Sequence, residues 1–225
     1  MTTTFPCTSI SIMLLQLLLV VSILQPYHHL AAHALKVVIA GGTGRLGPRV
    51  ASQLKSPQHE VMLLSRNAFL ATAPNRVTGV FGYVGASFLD NNPHVSVRDW
   101  DGGDLTDIVG CDWMGWQEDA LVGADVVLNL VGGYTEQREM ATERLVKESL
   151  RLNNRQAVQI TVSPNEEDIK TLTPGAVSLK KKRLERCEEM VKQNCLYSKC
   201  LRLEAFDYET NAAKIVEAVL ESASA

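Results

Sequence analysis

Seven residues, Gly41-Gly42-Thr43-Gly44-Arg45-Leu46-Gly47, carry the plainest chemical signal in the chain. They follow the apolar run Leu35-Lys36-Val37-Val38-Ile39-Ala40 and precede a stretch with Leu46, Val50 and Leu54 on one helical face. A strand, a tight glycine turn and a helix in that order let backbone N–H groups approach a diphosphate, and the helix N-terminus adds partial positive charge. The ligand expected on these grounds is a dinucleotide. A second strand, Glu60–Leu64, ends in Ser65-Arg66-Asn67. A carboxylate at that place would meet a ribose 2′-hydroxyl and favour NAD, whereas an arginine accommodates a 2′-phosphate, which its guanidinium grips as a fork. Arg66, with Arg45 from the glycine turn, therefore points to NADP as cofactor and leaves NAD as the alternative. The plainer account of Arg66 is a solvated loop arginine.

Other reactive side chains point less far. The cysteines are Cys7, Cys111, Cys187, Cys195 and Cys200, and none forms a C-x-x-C pair or a zinc spacing. Cys7 falls in the N-terminal leader; the remaining four could pair, but they are expected as buried reduced thiols that pack like small hydrophobes. No metal site is expected. The basic run Lys180-Lys181-Lys182-Arg183 lies in a helical pattern whose apolar positions are Leu184, Cys187 and Val191, so it is a solvated helix face. With a formal net charge of -3, nothing argues for nucleic acid as a partner.

These residues need a scaffold, and 225 residues with 46% hydrophobic and 21% charged content suit one globular domain with a real core. Residues 1–34 stand apart. Ile10 to Leu24 is almost unbroken apolar sequence, followed by Gln25-Pro26 and the small-x-small triplet Ala32-His33-Ala34. That pattern is a cleavable signal peptide, although it lacks lysine or arginine ahead of the apolar core. An uncleaved anchor is the alternative. The domain then spans residues 35–225 and is not itself membrane-embedded. Dinucleotides belong inside cells and organelles, so the destination stays open between the secretory route and a complex plastid of algal type, entered through that route.

Along residues 35–225 strands and helices alternate, which predicts an α/β, doubly wound, Rossmann-type parallel sheet of about six strands with helices on both faces. The strands are expected at Lys36–Ala40, Glu60–Leu64, His94–Arg98, Asp125–Val131, Ala157–Val162 and Ser198–Leu203. Helices are expected from the glycine turn to Leu54, over Glu136–Leu152, Ser178–Gln193 and Thr210–Leu220. Asn67 to Asn92 is weakly periodic with room for a short helix, and Asp99 to Asp119, with Trp100, Trp113 and Trp116, is loop with short helical pieces.

The glycine turn resembles the Gly-x-x-Gly-x-x-Gly turn of the extended and atypical short-chain dehydrogenase/reductase superfamily, with Gly41, Gly44 and Gly47 as its glycines. Ala124 to Gly132 resembles that family's fourth strand, and Cys187 through Arg202 its late helix and following strand, so the resemblance covers nearly all of residues 35–221. It implies a nucleotide held by Gly41 to Gly47, by Ser65 and Arg66, and by Asn129, Val131, Gly132 and Gly133 where the chain passes the nicotinamide ribose. It implies an acid near the adenine amino group, a place that Asp99 and Asp104 could each fill. It also places a small polar side chain at the end of strand five. Ser163 stands there, with Thr161 on the same face; it either bonds a substrate carbonyl or the nicotinamide, or simply turns the chain with Pro164.

The chain departs from the family in its catalytic pair. Active members carry Tyr-x-x-x-Lys at the start of the late helix, where the lysine lowers the tyrosine pKa. The residues four before Lys180, Lys181 and Lys182 are Ala176, Val177 and Ser178. The chain also runs only one helix past strand six, so little or no C-terminal substrate domain is expected. Two functions follow. One is a nucleotide-binding regulator, assembly factor or complex subunit, with a protein partner and without turnover. The other is an NADP-dependent oxidoreductase or epimerase on a small carbonyl or sugar-like substrate, with Ser163 and Lys180 or Lys181 as catalytic residues. Both need the glycine turn. Gly44→Val is expected to abolish nucleotide binding by blocking the backbone's approach to the diphosphate; unchanged affinity by intrinsic tryptophan fluorescence would exclude the turn as the site.

Overall fold

In a computed structural model, which describes residues 34–56, 58–73, 84–102, 115–132, 135–152, 154, 156–172 and 177–223, the first apolar run is β1 (Lys36–Ala40). Its side chains alternate between two buried faces. Val37 and Ile39 pack with α1 (Gly47–Gln53) and with Ala212, Ile215 and Val219; Val38 and Ala40 pack with Trp100, Trp116, Leu121, Ala141 and Leu145. A strand covered on both faces has no polar side, which is why the run reads as continuously apolar.

The remaining strands are β2 (Glu60–Ser65), β3 (Val95–Asp99), β4 (Val126–Asn129), β5 (Val158–Pro164) and β6 (Ser198–Leu203). They form one six-stranded, all-parallel sheet in the order β3-β2-β1-β4-β5-β6. After β3 the chain crosses to the other side of β1, so the loops leaving β1 and β4 diverge to opposite faces. Ala40 pairs with Leu64 and with Asn129, so the crevice opens at the carboxyl end of β1.

The helices after α1 are α2 (Ala68–Thr72), α3 (Ala86–Asn91), α4 (Trp116–Leu121), α5 (Glu136–Arg151), α6 (Glu166–Leu172), α7 (Val177–Asn194) and α8 (Tyr208–Ser222). The expected weakly periodic stretch holds α2 and α3, and α6 was not foreseen. Its start carries Glu166, Glu167 and Asp168, acids that complement the orphan N–H groups of a first turn. Ser163 and Pro164 had marked the place only as a turn. α8 starts two residues early because Asp207 accepts from the Thr210 N–H at 3.1 Å. None of the described helices is long and apolar enough to cross a membrane. Residues 1–33, with the targeting segment and Cys7, lie outside the described residues, as do Cys111 and Trp113.

Cys187 is buried and Cys195 and Cys200 are half-buried, all free thiols. Burial pushes the Cys195 thiol up to about 11, which suits an inert packing residue. At the opposite end of the sheet from the crevice, the Leu35 N–H donates to Nδ1 of His59 at 3.3 Å, which requires that nitrogen unprotonated. Partial burial, then the charge of His94, holds His59 below the ordinary histidine value. The folded chain thus binds fewer protons than the unfolded chain in that interval, and stability falls as pH falls through it. Thermal denaturation is expected to show Tm declining from about pH 7 to about pH 5, with a shallower decline in His59→Gln; identical slopes would remove His59 as the cause.

Candidate functional site: a cavity at the carboxyl end of the sheet

The glycine turn is shaped by close contacts. Gly41 has φ +71°, and a Cβ there would lie 2.8 Å from the Val131 nitrogen, so the turn after β1 presses on the chain leaving β4. A Cβ on Gly42 would lie 2.8 Å from the Ile39 oxygen, and one on Gly47 only 1.9 Å from the Gly42 oxygen. These three glycines are demanded by the protein's own packing. Gly44 differs. Its N–H donates to the Gly41 oxygen at 3.0 Å, and its Cβ would meet that oxygen alone, at 3.2 Å. Gly44 lines the cavity, and apart from the Gly41 oxygen the space beside it is open. α1 is two turns long with Pro48 in its first turn, so one N–H is missing there and the free amide donors at this place are those of the loop.

Beyond the turn lies a cavity of about 990 Å³. Gly41, Thr43, Gly44, Arg45 and Leu46 form its floor. Ser65, Arg66, Leu70, Trp100 and Gly102 close the β2–β3 side, and Val131, Gly132 and Thr135 the β4 side. Phe206, between β6 and α8, and Tyr208, the first residue of α8, complete the wall. A volume of this size and a crevice at a topological switch point suit an extended ligand.

Arg66 is exposed, and its aliphatic stem runs over Gly102, where a Cβ would lie 2.9 Å from the Arg66 Cδ. Gly102 has φ +68°, and its oxygen accepts from Gln137 Nε2 at 2.6 Å. Gly102 and Gln137 therefore set the path of Arg66, and nothing in their spacing signalled it. Ser65 is buried; its hydroxyl accepts from the Asn67 N–H at 3.2 Å, and the Asn67 side chain caps α2 through the Leu70 N–H.

Asn129 is buried behind the crevice and shapes it indirectly. Its Oδ1 accepts from the Val131 N–H at 3.0 Å, and its Nδ2 donates to Thr142 Oγ1 at 2.9 Å. Gly42 and Gly47 likewise support the floor from below. Asp99 does not reach the cavity wall: its carboxylate accepts from the Ala68 N–H at 2.5 Å and caps α2. Asp104 and Gly133 lie outside the described residues.

The expected catalytic residues are not brought together. Ser163 is 1% exposed and lies under the guanidinium of Arg138, with its Oγ 3.4 Å from Nη2. Arg138, on α5 and itself buried, also donates to the Val131 oxygen, to Thr161 Oγ1 and to the Val162 oxygen. Burial pulls this guanidinium below its ordinary value, opposed by Cys187 and Glu188. Lys181 pairs with Glu166 at 3.1 Å on the surface of α7, and Lys180 is its chain neighbour there; neither lines the cavity. Among the described lining residues the only titratable groups are Arg45, Arg66 and Tyr208. The wall offers cations and backbone donors, which suits an anion. No group of three or more candidate metal ligands occurs among the described residues.

No family model matches the sequence, and no curated protein matches it. Solved structures do. The oxidoreductase ylbE from Lactococcus lactis is similar over 84% of this chain and 86% of its own, at 13% identity and a TM-score of 0.56. The Bordetella bronchiseptica enzyme WbmH, solved with NAD+, is 14% identical over 76% of this chain and 56% of its own, with a TM-score of 0.51. UDP-glucose 4-epimerase from Bifidobacterium longum, solved with NAD+ and UDP, is 13% identical over 74% of this chain and 52% of its own, with a TM-score of 0.50. The likeness is one of fold: the doubly wound α/β fold with a parallel six-stranded sheet.

Gly47→Ala is expected to destabilise the chain by about 2–3 kcal/mol because backbone opposes the new methyl. Gly44→Ala, which needs only a small shift of the Gly41 carbonyl, is expected to cost less than about 1 kcal/mol. Chemical denaturation of both variants checks the order; equal losses would contradict the division between packing and cavity glycines.

Proposed function

We propose that this protein binds a nicotinamide dinucleotide, NADP in preference to NAD, and holds it without turning it over. The observation that carries the binding is Gly44, a glycine at the cavity floor that the fold itself barely requires. The fold's occurrence in proteins solved with NAD+ supports the ligand class. Gly41 to Leu46 would hold the diphosphate through backbone N–H groups, and Arg66 would meet the 2′-phosphate. A bound nicotinamide supplies hydride chemistry.

The absence of turnover is supported by the place of the catalytic candidates. Ser163 is occupied by Arg138, and Lys180 and Lys181 lie on a surface helix away from the cavity. The reading is therefore of a regulator, assembly factor or complex subunit that uses the bound nucleotide as a structural or sensing element. Its proposed route begins with the targeting segment at residues 1–34.

NADPH is expected to bind at least about 10-fold more tightly than NADH, the scale of one charge-assisted phosphate contact. Arg66→Ala should erase that difference. Trp100 lines the cavity, so quenching of intrinsic fluorescence reads both affinities. A reversed preference removes Arg66 as the selector. Consumption of NADPH with a panel of carbonyl substrates, lost in Ser163→Ala, overturns the non-catalytic reading.

A further inference from the structure

The segment between β6 and α8 is built as a strap along one side of the cavity. Its backbone is held where it leaves β6, at both sides of one peptide group: the Ala205 N–H donates to Asp168 Oδ2 at 2.8 Å, and the Glu204 oxygen accepts from Asn211 Nδ2 at 2.6 Å. Just after this brace Phe206 adopts φ 63°, the one left-handed residue other than glycine among those described. Such a backbone is strained for a residue with a Cβ and persists only where its surroundings impose it. Here it brings Phe206 and Tyr208 to the same wall of the cavity.

Tyr208 ties that strap to the glycine turn. Arg45 Nη1 donates to the Tyr208 hydroxyl at 3.2 Å, and the Arg45 guanidinium carbon lies 5.5 Å from the ring centroid. Arg49 approaches the same ring at 5.6 Å, donates to the Arg45 oxygen at 2.7 Å and pairs with Glu209 at 2.5 Å. Arg45 is therefore drawn toward α8. Arg66 reaches the cavity from the β2–β3 side, over Gly102. The two guanidinia approach one ligand from different sides, and a single 2′-phosphate does not need both.

We propose that Tyr208 is a positioning residue: it holds the Arg45 guanidinium for the diphosphate of the ligand and leaves Arg66 alone to read the 2′-phosphate. This rests on the dinucleotide reading above and divides its two cationic contacts. The ring fixes a long, flexible side chain over the loop whose amides meet the same phosphates, which reduces the ordering cost of binding.

The test measures the affinities of the full chain for NADPH, NADH and adenosine 2′-monophosphate, a probe with the 2′-phosphate and no diphosphate. Tyr208→Ala and Arg45→Gln are expected to weaken NADPH and NADH by the same factor, about 5- to 10-fold. Both should leave the nucleotide preference and the affinity for adenosine 2′-monophosphate unchanged. Tyr208→Phe, which keeps the ring beneath the guanidinia, should restore most of the loss. Arg66→Ala should do the opposite, removing adenosine 2′-monophosphate binding and the preference. A Tyr208→Ala chain that has merely lost its fold would lose all three ligands; Arg45→Gln, at an exposed side chain, then decides. Affinities within about 2-fold of wild type in both variants, or a changed preference, overturn the assignment while the dinucleotide reading stands. A wild-type chain that binds none of the three ligands overturns both.

Discussion

The architecture depends on one close approach, that of Gly47 at the start of α1 to the backbone of Gly42. With no room for even a methyl group between them, α1 is seated directly on the end of β1. That seating places Val50, Ala51 and Leu54 in the core beside Ile39, and it lets α8 pack on the same face through Ala212, Ile215 and Val219. It also fixes where the turn's amides point, because the helix cannot slide away from the sheet. Core and crevice are thus two sides of the same contact, with packing below and a polar floor above.

The opposite wall is set by a different device. Asn129 and Arg138 bind the chain leaving β4 to α5 and to β5 through hydrogen bonds made almost entirely out of solvent. Buried polar groups with partners define one arrangement, since any shift leaves a donor or acceptor unmet. The cavity therefore has a floor held by sterics and a rear wall held by hydrogen bonding. The β6–α8 side is different again: the exposed Arg45, the Tyr208 phenol and Phe206, 68% exposed, line the cavity there. These are side chains that water can reach.

The parts of this design that were legible in the sequence are those with a period or a compulsory residue type. β1 and β6 lie where the apolar runs end, and the other strands differ at their ends by a few residues. The glycine turn was legible because no other residue fits at Gly41 or Gly47. The expectation of α5 and α7 rested on apolar stripes whose Leu145, Leu184 and Val191 are indeed buried. What was not legible depends on partners far along the chain. Asp99 follows a strand as an adenine contact would, yet Ala68 is near enough in space to take its carboxylate. Ser163 stands where a polar site residue would, but Arg138, 25 residues earlier, reaches it across the fold. Tyr208 and Phe206 carry no motif, and they reach the cavity only because β6 returns the chain to the carboxyl end of the sheet.

The bond between Arg138 and Ser163 has a consequence for how the chain can change. Arg138 lies against β5 and the chain leaving β4, and among the described residues its Nε has no acceptor. Replacing Ser163 with an apolar residue subtracts one of the few acceptors beneath a buried cation, while replacing Arg138 leaves the Val162 carbonyl and the Thr161 hydroxyl facing an unfilled space. Either step taken alone passes through a less stable chain. The two positions are consequently interlocked: releasing the serine from the guanidinium demands a compensated pair of exchanges rather than a single one.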